Sequence, residues 1–504
     1  MRFSKIYSAQ YHFPNTYSVS VETDISKGLH SFSIVGLPDK AVEESRDRVS
    51  AAIKNSGFKS PKQTNAKILV SLAPAHTKKE GPAFDVPIAL GYLLASENIQ
   101  FDPKGKMFIG ELALDGTIRP VRGVVSFARL AKETGLQEIY VPHENAQEAS
   151  LIKGISVYGA KTLRDIVDHF NPYNDYTLSI VKHTDIDKIK HVYKDSESVK
   201  IDDIAGQNSA KRGLVIAAAG RHNIAFFGPP GTGKTMLARA LASLLPTLSF
   251  EEMIEVTEIH SMTGCLDGPF ITRPPIRNPH HGISYLSLIG GGNNARPGEI
   301  TLAHRGVLLL DEFAEFDKKA INALRQPLED HTISISRVRG SVTYPANFIL
   351  VVALNPCPCG NRGVQGKQCI CTPVTIRNCE RKIPEPIIDR IDMWIEVSHV
   401  EHELLIPKQR GTKETDEAKQ TVIKVRKIQK ERVDIKEDPI TNLKISDDAQ
   451  KTLVSAGKKY DLSGRGYYKI IKIARTIADI EDSKNIEVPH ILEALQYRQK
   501  RTIT

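Results

Sequence analysis

Residues Gly228 to Thr235 read GPPGTGKT, and their types suit one task, holding the phosphates of a nucleotide. Gly228, Gly231 and Gly233 let the backbone curl so that its N–H groups converge on an anion, with Pro229, Pro230 and Thr232 completing the loop. Lys234 would neutralise the β- and γ-phosphates, and the Thr235 hydroxyl would coordinate Mg²⁺. The strand-like run NIAFF precedes the loop and the helical run TMLARALASLL follows it, so the phosphates would also meet a helix N-terminus. Downstream, GVLLLDE reads as a buried strand ending in two carboxylates: Asp311 suits the Mg²⁺ shell and Glu312 the polarising of an attacking water. A further apolar strand, NFILVVALNP, ends at Asn355, whose side chain could orient that water, although an Asn before Pro is also a good turn starter. Together these residues describe Mg²⁺-dependent hydrolysis of ATP.

A second cluster suits a metal. Cys357 and Cys359 form one CxC pair and Cys369 and Cys371 another, separated by the polar, glycine-rich GNRGVQGKQ. Four thiolates fit Zn²⁺ in a closed tetrahedral site, while CxC is tighter than the usual CxxC; the alternative is four reduced thiols in a surface loop. Cys265 and Cys379 stand outside this scheme.

The elements that must position these groups fall into blocks. Residues 1–172 alternate strand-like runs (SVSVETDI, HSFSIVGL, AKILVSLAP, ISVYGA) with helical ones (KAVEESRDRVSAAIKNSG, FDVPIALGYLLAS), which makes an α/β or α+β domain. Residues 173–200 are polar, charged and weakly periodic and read as a linker. Residues 201–400 carry near-continuous apolar strands between helical stretches, the pattern of a parallel sheet covered by helices. Residues 415–504 are helical throughout and predict four helices. The chain is thus a multidomain α/β protein, with the cysteine-rich insertion at 357–371 inside the third block.

Bulk properties agree with a folded, soluble chain. The 504 residues exceed what one core organises, and 40% hydrophobic with 25% charged residues excludes a disordered or collagen-like protein. A formal charge of +9 favours polyanionic partners such as nucleic acid. The start MRFSKIYSAQYHF lacks the apolar core of a signal peptide and no long apolar run follows, so the expected location is cytoplasmic, with no membrane partner.

The order of motifs resembles the AAA+ family. The resemblance implies that Asn355 is its sensor 1 residue and that DIAGQ, ending at Gln207, lies near the adenine. It also implies that Arg390 in PIIDRID is an arginine finger acting in a neighbouring subunit and that Arg465 in LSGRGYYKIIKIART is the sensor 2 residue of a helical lid. Such a finger requires an oligomer, which the family makes a homo-hexamer. The excess segment RPPIRNPHHGISYLSLIGGGNNARPGE and the two β runs of HTISISRVRGSVTYPANF resemble the helix-2-insert class, which contains magnesium-chelatase motor subunits and MCM helicases. Over nearly the whole chain the sequence is similar to the YifB/ComM family of magnesium-chelatase-like ATPases, through SIVGLPDKAVEESRDRVSAAIKNSGF, LRQPLEDHTISISR and NPCPCGN among others. That resemblance implies branch migration on DNA during integration of transforming DNA, with Arg337 and Arg339 at the hairpin tip contacting the phosphate backbone. The alternative is a protein-remodelling motor of magnesium-chelatase type that needs no DNA.

KKEGPAFDVPIALGYL, with IGELALDGTIRPVRGVV after it, resembles the proteolytic domain of Lon. The positions of that family's serine and lysine fall on Ala83 and Val125, neither of which can be a nucleophile or a base, so residues 1–172 are expected to keep that fold without its chemistry.

Overall fold

The computed structural model describes residues 3–12, 15–183, 199–292, 295–337, 340–362, 368–400, 413–434 and 444–499. It divides into two compact units, Met1–Val192 with Phe250–Ile271, and Tyr193–Ser249 with Thr272–Thr504. Most of the expected linker, residues 184–198, lies outside the described residues.

The first unit is built on a mixed sheet. Its strands are β1 (Phe3–His12), β2 (Asn15–Lys27), β3 (Ser31–Val35), β4 (Ala66–Ala73), β5 (Lys106–Phe108), the short ribbon β6 (Glu111–Leu112) and β7 (Ile118–Arg119), β8 (Glu138–Pro142) and β9 (Ser156–Ala160). Seven of them run in the order β3-β4-β2-β1-β5-β8-β9, antiparallel among β4, β2 and β1 and parallel elsewhere. The alternation in AKILVSLA turns Ala66, Ile68, Val70 and Leu72 into the core. Helix Asp85–Ala95 is apolar on every side and buried along almost its whole length. Its buried Asp85 is satisfied by Arg48 through hydrogen bonds of 2.8 and 3.1 Å.

Helix Phe250–Thr263 belongs to this unit although it lies inside the 201–400 stretch. It packs on helix Val124–Glu133 through a polar seam: Glu258 accepts from Ser126 at 2.6 Å and pairs with Arg129 at 2.8 Å. Ser261 Oγ accepts from the Gly123 N–H at 3.0 Å and donates to Glu148 at 2.9 Å.

The second unit carries β10 (Ile224–Phe227), β11 (Ile276–Arg277), β12 (Gly290–Gly291), β13 (Arg296–Pro297), β14 (Val307–Leu310), β15 (Thr332–Arg337), β16 (Gly340–Pro345), β17 (Ile349–Leu354) and β18 (Met393–Glu396). Five strands form an all-parallel sheet in the order β11-β14-β17-β10-β18. Every residue of β14 and β17 is buried, as a sheet covered on both faces requires. β15 and β16 form the expected antiparallel hairpin, closing with Arg337 opposite Gly340.

Helices Lys413–Asp434, Asp447–Lys459, Gly464–Ile480 and Val488–Gln496 make up the described C-terminal region. Their Val422, Val425, Leu453, Ile473 and Ile491 share one apolar core with Phe226 of β10, Leu214 of helix Asn208–Gly220, and Leu237 and Leu241 of helix Lys234–Leu244. The buried Asp479 is paired with Arg432 at 2.7 Å and Arg475 at 2.8 Å.

Candidate active site

The order β14-β17-β10 sets the C-terminal ends of three strands side by side, with Leu310 opposite Val352 and Leu354 opposite Phe227. Each ends where a candidate residue begins: β10 at Gly228, β14 at Asp311 and β17 at Asn355. Carboxyl ends of parallel strands are where such sheets bind ligands.

From β10 the chain turns through the glycine-rich loop into helix Lys234–Leu244. Gly231 and Gly233 take φ values of 79° and 89°, the left-handed region the curl demands. Lys234 is buried, and its ammonium donates to the carbonyls of Gly228 at 2.8 Å and Pro229 at 2.6 Å and to Asn355 Oδ1 at 3.1 Å. Burial lowers its pKa, partly opposed by the negative charge of Asp311. Thr235 Oγ1 donates to Asp311 Oδ2 at 2.7 Å. The hydroxyl and carboxylate expected to share a Mg²⁺ shell are thus adjacent hard oxygens, the donor type that ion takes.

Glu312 adopts a left-handed conformation, φ 50°. Its N–H donates to Asp311 Oδ1 at 2.9 Å, and its exposed carboxylate lies 3.2 Å from His281 Nδ1. His281 comes from the PHHG stretch of the excess segment and was missed in the sequence, where no spacing rule joins positions 281 and 312. Gln207, also left-handed, donates to the Ser398 carbonyl at 2.6 Å just beyond β18.

Arg390 and Arg465 come together on one carboxylate, that of Glu329 in helix Arg325–Asp330. Arg465 reaches it at 2.5 Å, and Arg390, mostly buried, pairs with it and with the Pro386 carbonyl at 2.5 Å. The two guanidiniums hold the Glu329 carboxyl below its ordinary value, Arg390 contributing most. Glu329 was also missed; in LRQPLED nothing local marks it as an arginine partner. Of the two expected DNA contacts, Arg337 ends β15 and Arg339 lies outside the described residues.

Among the cysteines, Cys357 Sγ lies 3.3 Å from Cys359 Sγ and 3.7 Å from Cys369 Sγ, and Cys359 Sγ lies 3.6 Å from Cys369 Sγ. With Cys371 the four sulfurs fall within 4.8 Å of one another. In the first unit, Ala83 sits in the turn Pro82–Phe84, where its carbonyl accepts from Gly110 at 3.0 Å, and Val125 is fully buried. No helix among the described residues is long and apolar enough to cross a membrane.

Comparison with known proteins agrees with this layout. The family described as magnesium chelatase, subunit ChlI, matches residues 200–405; subunit ChlI of Mg-chelatase matches residues 21–145, and the ChlI C-terminal family residues 412–498. The chain is 40% identical over 494 residues to competence protein ComM of Haemophilus influenzae, covering 95% of this chain and 94% of that protein. It is 38% identical over 498 residues to the uncharacterized protein YifB of Escherichia coli, covering 96% and 94%. A local match, 33% over 91 residues and 18% of the chain, joins it to Lon protease 2 of Bacillus subtilis. With its phosphate loop, paired carboxylates and parallel sheet, the chain belongs to the ComM and YifB family of magnesium-chelatase-like AAA+ ATPases.

Proposed function

We propose that the chain assembles, with ATP, into a homo-hexameric ring that couples hydrolysis to translocation on DNA and migrates branched junctions during recombination of incoming DNA. The observation carrying the motor is the meeting of Lys234 with Asn355 and of Thr235 with Asp311 at adjacent strand ends. Lys234 binds the β- and γ-phosphates, Glu312 takes the proton of the attacking water, Asn355 orients that water, and Gln207 lies toward the adenine. Thr235 and Asp311 hold Mg²⁺, which when bound neutralises charge on the phosphate oxygens. Arg390 serves the ATP of the neighbouring subunit and Arg465 that of its own, both leaving Glu329 as the phosphates take over as their anion. Residues 1–172, with Ala83 and Val125 at the Lon positions, serve assembly or DNA contact and do not cleave peptides.

The DNA track is supported by the similarity to a competence protein, the +9 charge and the basic hairpin of β15 and β16. Contacts from Arg337 and Arg339 to phosphates are sequence-independent and weaken with salt. A second reading, a protein-remodelling motor, is favoured by the magnesium-chelatase match over residues 200–405. The deciding experiment measures ATP turnover and junction movement with four-way DNA, using Lys234→Ala and Asp311→Ala as controls. Stimulation by DNA, lost on charge reversal at Arg337 and Arg339, is expected; turnover indifferent to DNA would leave the remodelling motor.

A further inference from the structure

The cysteine cluster has a second neighbour, the ATP site itself. Cys357 is fully buried and stands two residues after Asn355. Its carbonyl accepts from the Gly360 N–H at 3.0 Å, closing a tight turn. Gly360 has φ 75°, and a Cβ there would lie 2.6 Å from Pro230 Cδ, so the turn lies directly on the phosphate loop. The cysteine loop therefore bears on the ATP site twice, through Asn355, which holds Lys234, and through Pro230.

The sulfur spacing separates the two forms of chemistry four cysteines can offer. A disulfide would bring two sulfurs to about 2.05 Å. A tetrahedral ion with metal–sulfur bonds of about 2.3 Å sets its sulfurs roughly 3.8 Å apart; those of Cys357, Cys359 and Cys369 lie 3.3 to 3.7 Å apart, and Cys371 brings the four within 4.8 Å of one another. The spacer GNRGVQGKQ holds a single apolar residue, Val364, so its sequence offers no apolar cluster that would bring the two cysteine pairs together.

We propose that Cys357, Cys359, Cys369 and Cys371 form a closed tetrathiolate centre for one divalent ion of the zinc class, and that this centre is a strut holding Asn355 and Pro230 in the geometry ATP turnover needs. Binding releases the thiol protons to solvent. With four protein ligands no position stays open for substrate, so the centre is structural. The strut rests on the ATPase reading of the neighbouring site; the metal centre does not.

Metal analysis of the full-length chain, purified without chelator, is expected to find about one zinc per chain. Reconstitution with Co²⁺ is expected to give the visible absorption of tetrahedral cobalt–thiolate. Cys369→Ser with Cys371→Ser, on the pair farther in sequence from Asn355, is expected to lower both zinc content and ATP turnover roughly tenfold or more. Because that variant can misfold, a second measurement needs no ligand change. In a Cys265→Ser, Cys379→Ser background, a mercurial titrates the remaining thiols while an indicator reports released zinc and ATP turnover is followed, and turnover is expected to fall in proportion as released zinc rises. Less than about half an equivalent of metal after Zn²⁺ or Co²⁺ reconstitution overturns the centre. Zinc release at constant turnover overturns the strut. A chain that holds zinc but never hydrolyses ATP removes the ATPase reading and the strut with it, while the centre stands.

Discussion

Lys234 is held by three oxygens, two of them carbonyls of its own loop, in a buried setting that disfavours its charge. In the proposed role a triphosphate would replace those neutral acceptors with anionic ones, and the interaction would gain strength where water is scarce. Glu312 is exposed and lies beside His281, outside the hydrogen bonds that hold Lys234. These placements divide the two variants. Lys234→Ala is expected to lose nucleotide binding, whereas Glu312→Gln is expected to keep it while turnover falls about 10²-fold or more. Fluorescent-nucleotide titration beside steady-state turnover checks the split. Near-parental turnover in Glu312→Gln would move the base elsewhere, with His281 the adjacent group to examine.

At the scale of elements, helix Phe250–Thr263 is seated in the first unit by a buried carboxylate. Glu148 is nearly inaccessible, accepts from Asn145 at 2.5 Å and Ser261 at 2.9 Å, and has its pKa pushed up to about 7 by burial, against the pull of those two bonds. Between the ordinary value of 4.5 and about 7 the folded chain keeps a proton that the unfolded chain releases. Stability therefore falls as pH rises through that window and levels off above it, a loss on the order of 3 kcal/mol. Glu148→Gln keeps the shape without the titration. Thermal unfolding of parent and variant from pH 5 to 8 is expected to show the variant gaining on the parent as pH rises; parallel curves would clear Glu148 of the effect. In the second unit, Leu309 and Val351 drive the strands into the sheet, and the loops after them inherit their positions.

For the whole molecule the question is whether a single chain completes the site. Arg390 is mostly buried and held by Glu329, which suits a residue released only when a neighbour's nucleotide competes for it. Arg390→Ala is expected to retain ATP binding and to lose turnover by about 10³-fold, the scale of an arginine finger. Mixing it with Glu312→Gln chains should restore partial turnover, because interfaces form that pair an intact base with an intact arginine. Light scattering with and without ATP reports the assembly directly. Full activity of Arg390→Ala, or no rescue on mixing, would remove the shared site.

GPPGTGKT, LLLDE and LNP could be read without a structure because each is a local pattern: an apolar strand followed at once by the residues it presents. The same holds for the β15–β16 hairpin and the C-terminal helices, whose periodicity is written within a few turns of chain. Long-range pairings had no such signature. His281 beside Glu312, Arg390 and Arg465 on one Glu329, and Gly360 against Pro230 join residues whose separation in sequence follows no period. Likewise, nothing in the composition of FEEMIEVTEIHSMT says that this helix packs with Val124–Glu133 and Glu148, more than a hundred residues earlier. Local sequence determined which groups exist and which strand or helix carries them; strand order and helix packing decided which of those groups meet.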